Sequence, residues 1–177
     1  MADWQIERNH EGKYLLNAVG LRPMLAVIGK AGLIAGNAKC EGDMATPVGR
    51  WTLRRVYYRK DLLGKFACEL PSIEITPHCG WCDDPSHRDY NCKVDLPFSG
   101  SHECMWRDDG AYDLVVVLGF NDAPPVVGRG SAIFLHCIAP GATYTAGCVA
   151  LARSDLLAVI QSASANQHLN IDVRLLT

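Results

Sequence analysis

The sequence predicts a mainly β domain, and three observations carry that prediction. Short runs rich in Val, Ile, Leu and aromatic residues recur along the chain. Gly, Pro or Asn separates most of them, and only one stretch holds helix formers together long enough for a substantial helix.

Taken in order, strands are expected at 14–19, 25–28, 51–58, 72–76, 114–118, 133–137, 148–151 and 171–175. The apolar run from Met24 to Ile28 stops at Gly29-Lys30, which suits a strand and not a membrane span. A short helix is expected over 59–66. The principal helix follows 148–151, opening on Ser154 as N-cap and continuing to about Ala165. The stretch 77–107 is rich in His, Cys, Asp and Trp, has little periodicity and exceeds an ordinary connection. It reads as an ordered loop excursion over a site.

With 177 residues, residues 1–177 read as one domain with room for a full core. Hydrophobic content of 49%, charged content of 20% and a net charge of -2 describe an ordinary globule. No basic stripe recommends nucleic acid as a partner. The N-terminus, Met1 to Arg8, lacks the basic and apolar regions of a secretory signal, so the reading is either cytoplasmic or without its leader. Eight cysteines would permit disulfides in an oxidising compartment, but a chain without a visible signal is expected to keep them reduced.

The chemistry concentrates near the C-terminal end. Ile133-Phe134-Leu135-His136 delivers a histidine at a strand end, and Thr145-Ala146-Gly147-Cys148-Val149 places a cysteine after a glycine. A thiol reacts as thiolate and needs a neighbouring base near neutral pH, while the glycine lets a carbonyl approach backbone N–H groups. A hairpin-like return through Pro140-Gly141-Ala142-Thr143 would bring the two side chains together. The plain alternative is a small buried cysteine, as β proteins often contain.

His, a spacer, then Thr-x-Gly-Cys-Val resembles the signature of the L,D-transpeptidases with the YkuD-type catalytic domain. Upstream, Gly42-Asp43-Met44-Ala45-Thr46-Pro47-Val48-Gly49-Arg50-Trp51 is similar to the family's Gly-Asp-x-x-Thr-Pro-x-Gly-x-aromatic stretch. Gly80-Trp81-Cys82-Asp83-Asp84-Pro85 followed by Tyr90-Asn91 resembles an insertion in one bacterial branch. The likeness covers about residues 12–175.

The resemblance implies a YkuD-like β-sandwich with one principal helix after the nucleophile strand. It implies that Cys148 attacks the carbonyl of meso-diaminopimelate in a peptidoglycan stem tetrapeptide and expels D-Ala, with His136 as base and acid. The acyl-enzyme then passes to an amine of a second stem, giving a 1–3 or 3–3 cross-link, or to water. Gly147 and Cys148 would offer oxyanion donors, and the carbonyl of Cys137 would hold the imidazole tautomer. No cofactor is needed, the partners are stem peptides, and the protein is expected to be a monomer. Such work belongs on the periplasmic side of the envelope, although this chain shows no route there. The acylable thiol implies inactivation by carbapenems.

Departures from the family pattern qualify the substrate. Ala146 stands where many members carry a second histidine, and Ala150 where many carry Arg, with Arg153 the nearest basic replacement for a substrate carboxylate. Together with the absent signal and the single-domain length, Ala146 inclines the reading to a signal-less proteobacterial branch that forms 1–3 links. Thr145 and Ala146 flank the nucleophile as substrate contacts. Thr46-Pro47-Val48-Gly49 reads mainly as a turn. Trp81 and Tyr90 would supply a cleft wall, and Asp84 and Asn91 would meet the stem's amine and amide groups. Equally, these residues would tie a long loop to the body. Cys79-x-x-Cys82 is half a zinc site without a second close pair, so no metal is assigned. Three other readings stay open: a hydrolase trimming stems, an inactive peptidoglycan-binding relative, and a small zinc-containing module.

Overall fold

A computed structural model describes residues 2–176. Its strands are β1 (Trp4–Arg8), β2 (Tyr14–Asn17), β3 (Met24–Val27), β4 (Leu33–Ala35), β5 (Thr46–Tyr58), β6 (Ser72–Glu74), β7 (Cys79–Cys82), β8 (Lys93–Asp95) and β9 (His102–Cys104). They continue with β10 (Leu114–Leu118), β11 (Phe134–Cys137), β12 (Val149–Leu151) and β13 (His168–Ile171). Two helices, α1 (Lys60–Leu63) and α2 (Arg153–Gln161), and a 3₁₀ turn at Val173–Leu176 complete the described residues. The mainly β expectation holds, with α2 as the principal helix directly after β12.

The large sheet runs β10-β11-β12-β3-β2-β1-β13-β5, and β5 pairs back onto β10, so the path closes on itself. Closure leaves few open edges. The long β5 makes it work: its first part pairs with β13 from Gly49 to Thr52, its second with β10 from Leu53 to Tyr58. Strand alternation then sorts the side chains. Leu114, Val116 and Leu118 of β10 and Leu135 of β11 face the main core with Trp4, Ile6, Leu16, Met24 and Val149. Leu156, Val159 and Ile160 of α2 close that core, each fully buried. Burial of side chains this size is worth roughly 1.5–3 kcal/mol each.

Val115 and Val117 of β10 and Phe134 of β11 face the opposite way, into a second cluster with Tyr57, Trp81, Met105, Tyr112 and Cys148. The expected loop excursion at 77–107 covers this face, and it contains a three-stranded sheet in the order β8-β7-β9. Trp81 fixes it to the body, with its ring edge-on to Phe134 at 4.9 Å. Strands of three or four residues give too little alternation to be read from sequence.

Several boundaries differ from expectation for identifiable reasons. The last strand is β13, not 171–175, because His168 and Asn170 alternate outward while Leu169 and Ile171 are buried. The 3₁₀ turn at Val173–Leu176 takes the place of that expected strand. Helix α2 starts at Arg153 and ends at Gln161; its N-cap is Ala152, which makes no side-chain cap bond, so Ser154 lies inside the helix. The 59–66 helix shrinks to the single turn α1, which buries no side chain. Thr46-Pro47-Val48-Gly49 lies within β5 and is not a turn.

The connection from β11 to β12 is a parallel crossover, not the expected hairpin, with His136 paired to Ala150 and Leu135 to Val149. Parallel neighbours need a longer return than a tight turn supplies. In this register His136 and Ala150 share a face, and Cys148, two residues before Ala150, lies on that face as well.

Candidate active site

Cys148 and His136 line one cavity of about 500 Å³, with walls that include Ala111, Tyr112, Ala132, Thr145 and Ala146. Backbone packing explains how the cysteine loop is held. Gly147 sits at φ 135°, and a Cβ there would lie 3.0 Å from the Ala45 carbonyl oxygen, so only glycine fits. Its N–H donates to Thr145 Oγ1 at 3.1 Å. The Thr145 hydroxyl in turn donates to the Cys148 carbonyl at 2.7 Å.

A second hydroxyl grips the same carbonyl from across the fold. Thr46 is fully buried; its Oγ1 donates to the Cys148 carbonyl at 3.1 Å and accepts the Gly29 N–H at 2.8 Å. A Cβ on Gly29 would meet the Met44 carbonyl oxygen at 2.4 Å, which is why the 42–46 loop can pass so close. Trp51 secures that stretch by donating Nε1–H to the Pro47 carbonyl at 3.0 Å. The Gly42-to-Trp51 motif thus holds the cysteine loop. From the sequence alone its Thr46-Pro47-Val48-Gly49 core reads mainly as a turn.

Cys148 is 8% exposed. Its Sγ lies 3.1 Å from the Ala132 carbonyl, to which it donates, and accepts the Phe134 N–H at 3.3 Å. Burial pushes the Cys148 thiol up to about 12, with the Glu103 charge adding to the effect. Burial also lowers the His136 imidazole from its usual value, outweighing the carbonyls of Cys137 and Ala111 that favour the charged ring. Both shifts favour a neutral thiol and a neutral imidazole in the same cavity of the free protein.

His136 Nδ1 lies 2.8 Å from the Cys137 carbonyl. With the proton on Nδ1 donated there, Nε2 remains as the acceptor. Tyr112 packs edge-on to the imidazole with ring centroids 5.4 Å apart. The Cys137 side chain plays no part in the cavity: its thiol is buried, donates to the Leu114 carbonyl at 3.7 Å and is pushed up to about 12 by burial. Of the two expected oxyanion donors, the Gly147 N–H is engaged by Thr145, while the Cys148 N–H makes no hydrogen bond among the described residues.

The other expected substrate residues stand elsewhere. Asn91 is a buried clamp: its Oδ1 accepts from Trp81 Nε1 and the Ala132 N–H, both at 3.0 Å, and its Nδ2 donates to the Asn121 carbonyl at 2.7 Å. Tyr90 donates to Glu41 and accepts the Gly130 N–H at 3.1 Å. Asp84 caps its own loop, accepting from the Ser86 N–H at 2.9 Å and the Ser86 hydroxyl at 2.7 Å. Arg153 pairs with the buried Asp113 at 2.7 Å. None of Trp81, Asp84, Tyr90, Asn91 or Arg153 lines the cavity, whereas Thr145 and Ala146 do.

In their place the cavity presents groups that the sequence did not single out: Lys39, Glu41, Glu103, Arg107 and Tyr112. Lys39 is tied to Asp43 at 2.6 Å, and Arg107 Nε to Asp109 at 3.0 Å. Among the described residues no group of three or more His, Cys, Asp and Glu gathers to hold a metal ion. All eight cysteines are free thiols in the structure. No helix among the described residues is long and apolar enough to cross a membrane.

The sequence matches the family described as YkuD, L,D-transpeptidase catalytic domain, over residues 7–169. Among solved structures it is similar to an L,D-transpeptidase from Mycobacterium smegmatis, with a TM-score of 0.41 and 14% identity over 97% of this chain and 59% of that one. It is similar also to Mycobacterium tuberculosis L,D-transpeptidase 1, with a TM-score of 0.40 and 12% identity over 96% of this chain and 61% of that one. The chain spans about three fifths of the length of those two proteins. No curated protein matches it.

Proposed function

The chain belongs to the L,D-transpeptidase family built on the YkuD catalytic domain, and from that premise we propose that it transfers the acyl group of a peptidoglycan stem peptide through Cys148. The observation that carries the proposal is the shared cavity, in which a buried thiol and an imidazole with its Nδ1 side satisfied stand on one face of adjacent parallel strands.

A stem tetrapeptide enters with the carbonyl of its third residue, meso-diaminopimelate, above Sγ. As the sulfur attacks, the thiol proton passes to His136 Nε2, so the nucleophile is generated at the moment of reaction and not held as a resting ion pair. The developing oxyanion is met by the free Cys148 N–H. Collapse breaks the bond to the terminal D-Ala, whose amine takes the proton from His136. An amine of a second stem then attacks the thioester and gives a proton to His136 as the C–N bond forms, and His136 delivers that proton to the sulfur as the C–S bond breaks. Water in place of the amine gives a tripeptide. The compartment of such work is the cell envelope.

Mass spectrometry of disaccharide-tetrapeptide incubated with the protein and with Cys148→Ala tests this. A dimer lacking one D-Ala, formed by the intact protein alone, is the expected result, and its fragmentation identifies the 1–3 or 3–3 linkage. Tripeptide alone would make the protein a hydrolase, and unchanged substrate would leave a binding module.

A further inference from the structure

Every cation on the cavity wall has a carboxylate of its own, but the reverse is not true. Lys39 is neutralised by Asp43 and Arg107 by Asp109. Glu103, on β9, has no ion pair among the described residues, and the hydrogen bond its carboxylate accepts comes from the Tyr112 hydroxyl. The Tyr112 ring lies against the His136 imidazole. Glu103 is thereby fixed on the wall of the cavity that holds Cys148 and His136, by a side chain that touches the imidazole. Burial raises its carboxyl above the usual range, and its charge is felt at the Cys148 thiol.

Acyl transfer to an amine needs a second proton acceptor. A stem-peptide amine arrives as an ammonium ion and cannot attack until it loses a proton. His136 ends the first half-reaction neutral, having passed the thiol proton to D-Ala, and is then needed to return a proton to the departing sulfur. Resting on the function proposed above, we propose that Glu103 receives the acceptor's ammonium group and removes its proton, making it the residue that directs the acyl-enzyme toward cross-linking instead of hydrolysis.

The protons balance. The ammonium gives one proton to the Glu103 carboxylate, and the neutral amine forms the C–N bond. The attacking nitrogen gives its second proton to His136, which delivers it to Cys148 as the C–S bond breaks. Glu103 then loses its proton to solvent.

The test uses disaccharide-tetrapeptide as donor and acceptor and reads D-Ala release, tripeptide and dimer separately for the intact protein, Glu103→Gln and Glu103→Asp. Glutamine preserves an acceptor for the Tyr112 hydroxyl but no basic oxygen. The expected result is a dimer-to-tripeptide ratio about 100-fold lower in Glu103→Gln, the size of a typical general-base contribution. Raising the pH, which deprotonates the acceptor without assistance, should restore its dimer yield far more steeply than that of the intact protein. Glu103→Asp keeps a carboxylate, folds independently of any defect peculiar to the amide, and should hold the ratio within about tenfold of the intact protein. A ratio unchanged in Glu103→Gln, or the same pH response in both proteins, overturns the assignment while leaving acylation by Cys148 standing. Absence of D-Ala release from the intact protein overturns the function and the assignment together.

Discussion

Replacing Thr46 with valine removes one hydroxyl and almost no volume, so the consequences are those of two lost hydrogen bonds. The side chain is fully buried. The Cys148 carbonyl keeps the Thr145 hydroxyl at 2.7 Å and stays satisfied. The Gly29 N–H, whose bond to Thr46 Oγ1 is 2.8 Å, loses its only partner among the described residues. An orphaned buried donor costs about 1–3 kcal/mol and a lost neutral hydrogen bond about 0.5–1.5 kcal/mol. The expected destabilisation of Thr46→Val is therefore about 3 kcal/mol, or a fall of roughly 6–12 °C in Tm for a chain of this size. Thr46→Ser keeps the hydroxyl and gives up one methyl, and should lose only about 1 kcal/mol. Urea titration at constant m-value separates the two. Because the same hydroxyl fixes the Cys148 carbonyl, acylation by the stem peptide should also slow in the valine variant, by about tenfold. If Thr46→Val stays within about 0.5 kcal/mol of the intact protein, or the serine variant loses more than the valine one, the hydroxyl is not what holds the cysteine loop.

The pH profile follows from the same site. His136 acts as base when neutral, and burial lowers its pKa, so acylation should be lost only as pH falls below the ordinary 6.5 of imidazole; an acid limb above that value in a D-Ala release assay would oppose the scheme. At the alkaline end, Cys148 titrates near 12 in the folded chain against about 9 when exposed. A raised folded-state pKa stabilises fully below the unfolded value and is lost as pH climbs between the two, so denaturation midpoints should fall above pH 9 and fall less in Cys148→Ser, by up to about 1.4 kcal/mol per pH unit. Arg153→Met strands the buried Asp113 and should cost about 1–3 kcal/mol in stability; a rise in KM for the stem peptide without that loss would instead make Arg153 a substrate contact. A carbapenem should leave a stable adduct on Cys148, and intact mass with peptide mapping checks it.

How much was legible in the residues differs between fold and site. The strands at 114–118, 133–137 and 148–151 carry apolar runs that alternate between two buried faces, and they were placed almost to the residue. Their pairing was not, because a spacer of Pro, Gly and Thr reads as a tight turn whether the returning strand is antiparallel or, as here, parallel. Cys148 and His136, which the structure brings to one cavity, can be picked out from the sequence because local motif and chemistry coincide. Glu103 was not: it sits mid-strand in the three-residue β9, amid many other polar residues, and enters the cavity only through the pairing of Trp81 with Glu103 and the Tyr112 contact. The side chains of Trp81, Tyr90 and Asn91, expected at the cleft, turn instead to each other, to Glu41 and to backbone carbonyls. Such long-range partners leave no spacing in the sequence to read.

In the proposed reaction the stem peptide becomes covalently attached to Cys148 with His136 as its base. Intact-protein mass spectrometry of an acid-quenched reaction with disaccharide-tetrapeptide, followed by peptide mapping, tests it most directly. An adduct of the donor less D-Ala on the Cys148 peptide, forming at least about 100-fold more slowly in His136→Ala, is the predicted result. Product released with no adduct, an adduct on another residue, or a rate indifferent to His136 would contradict it.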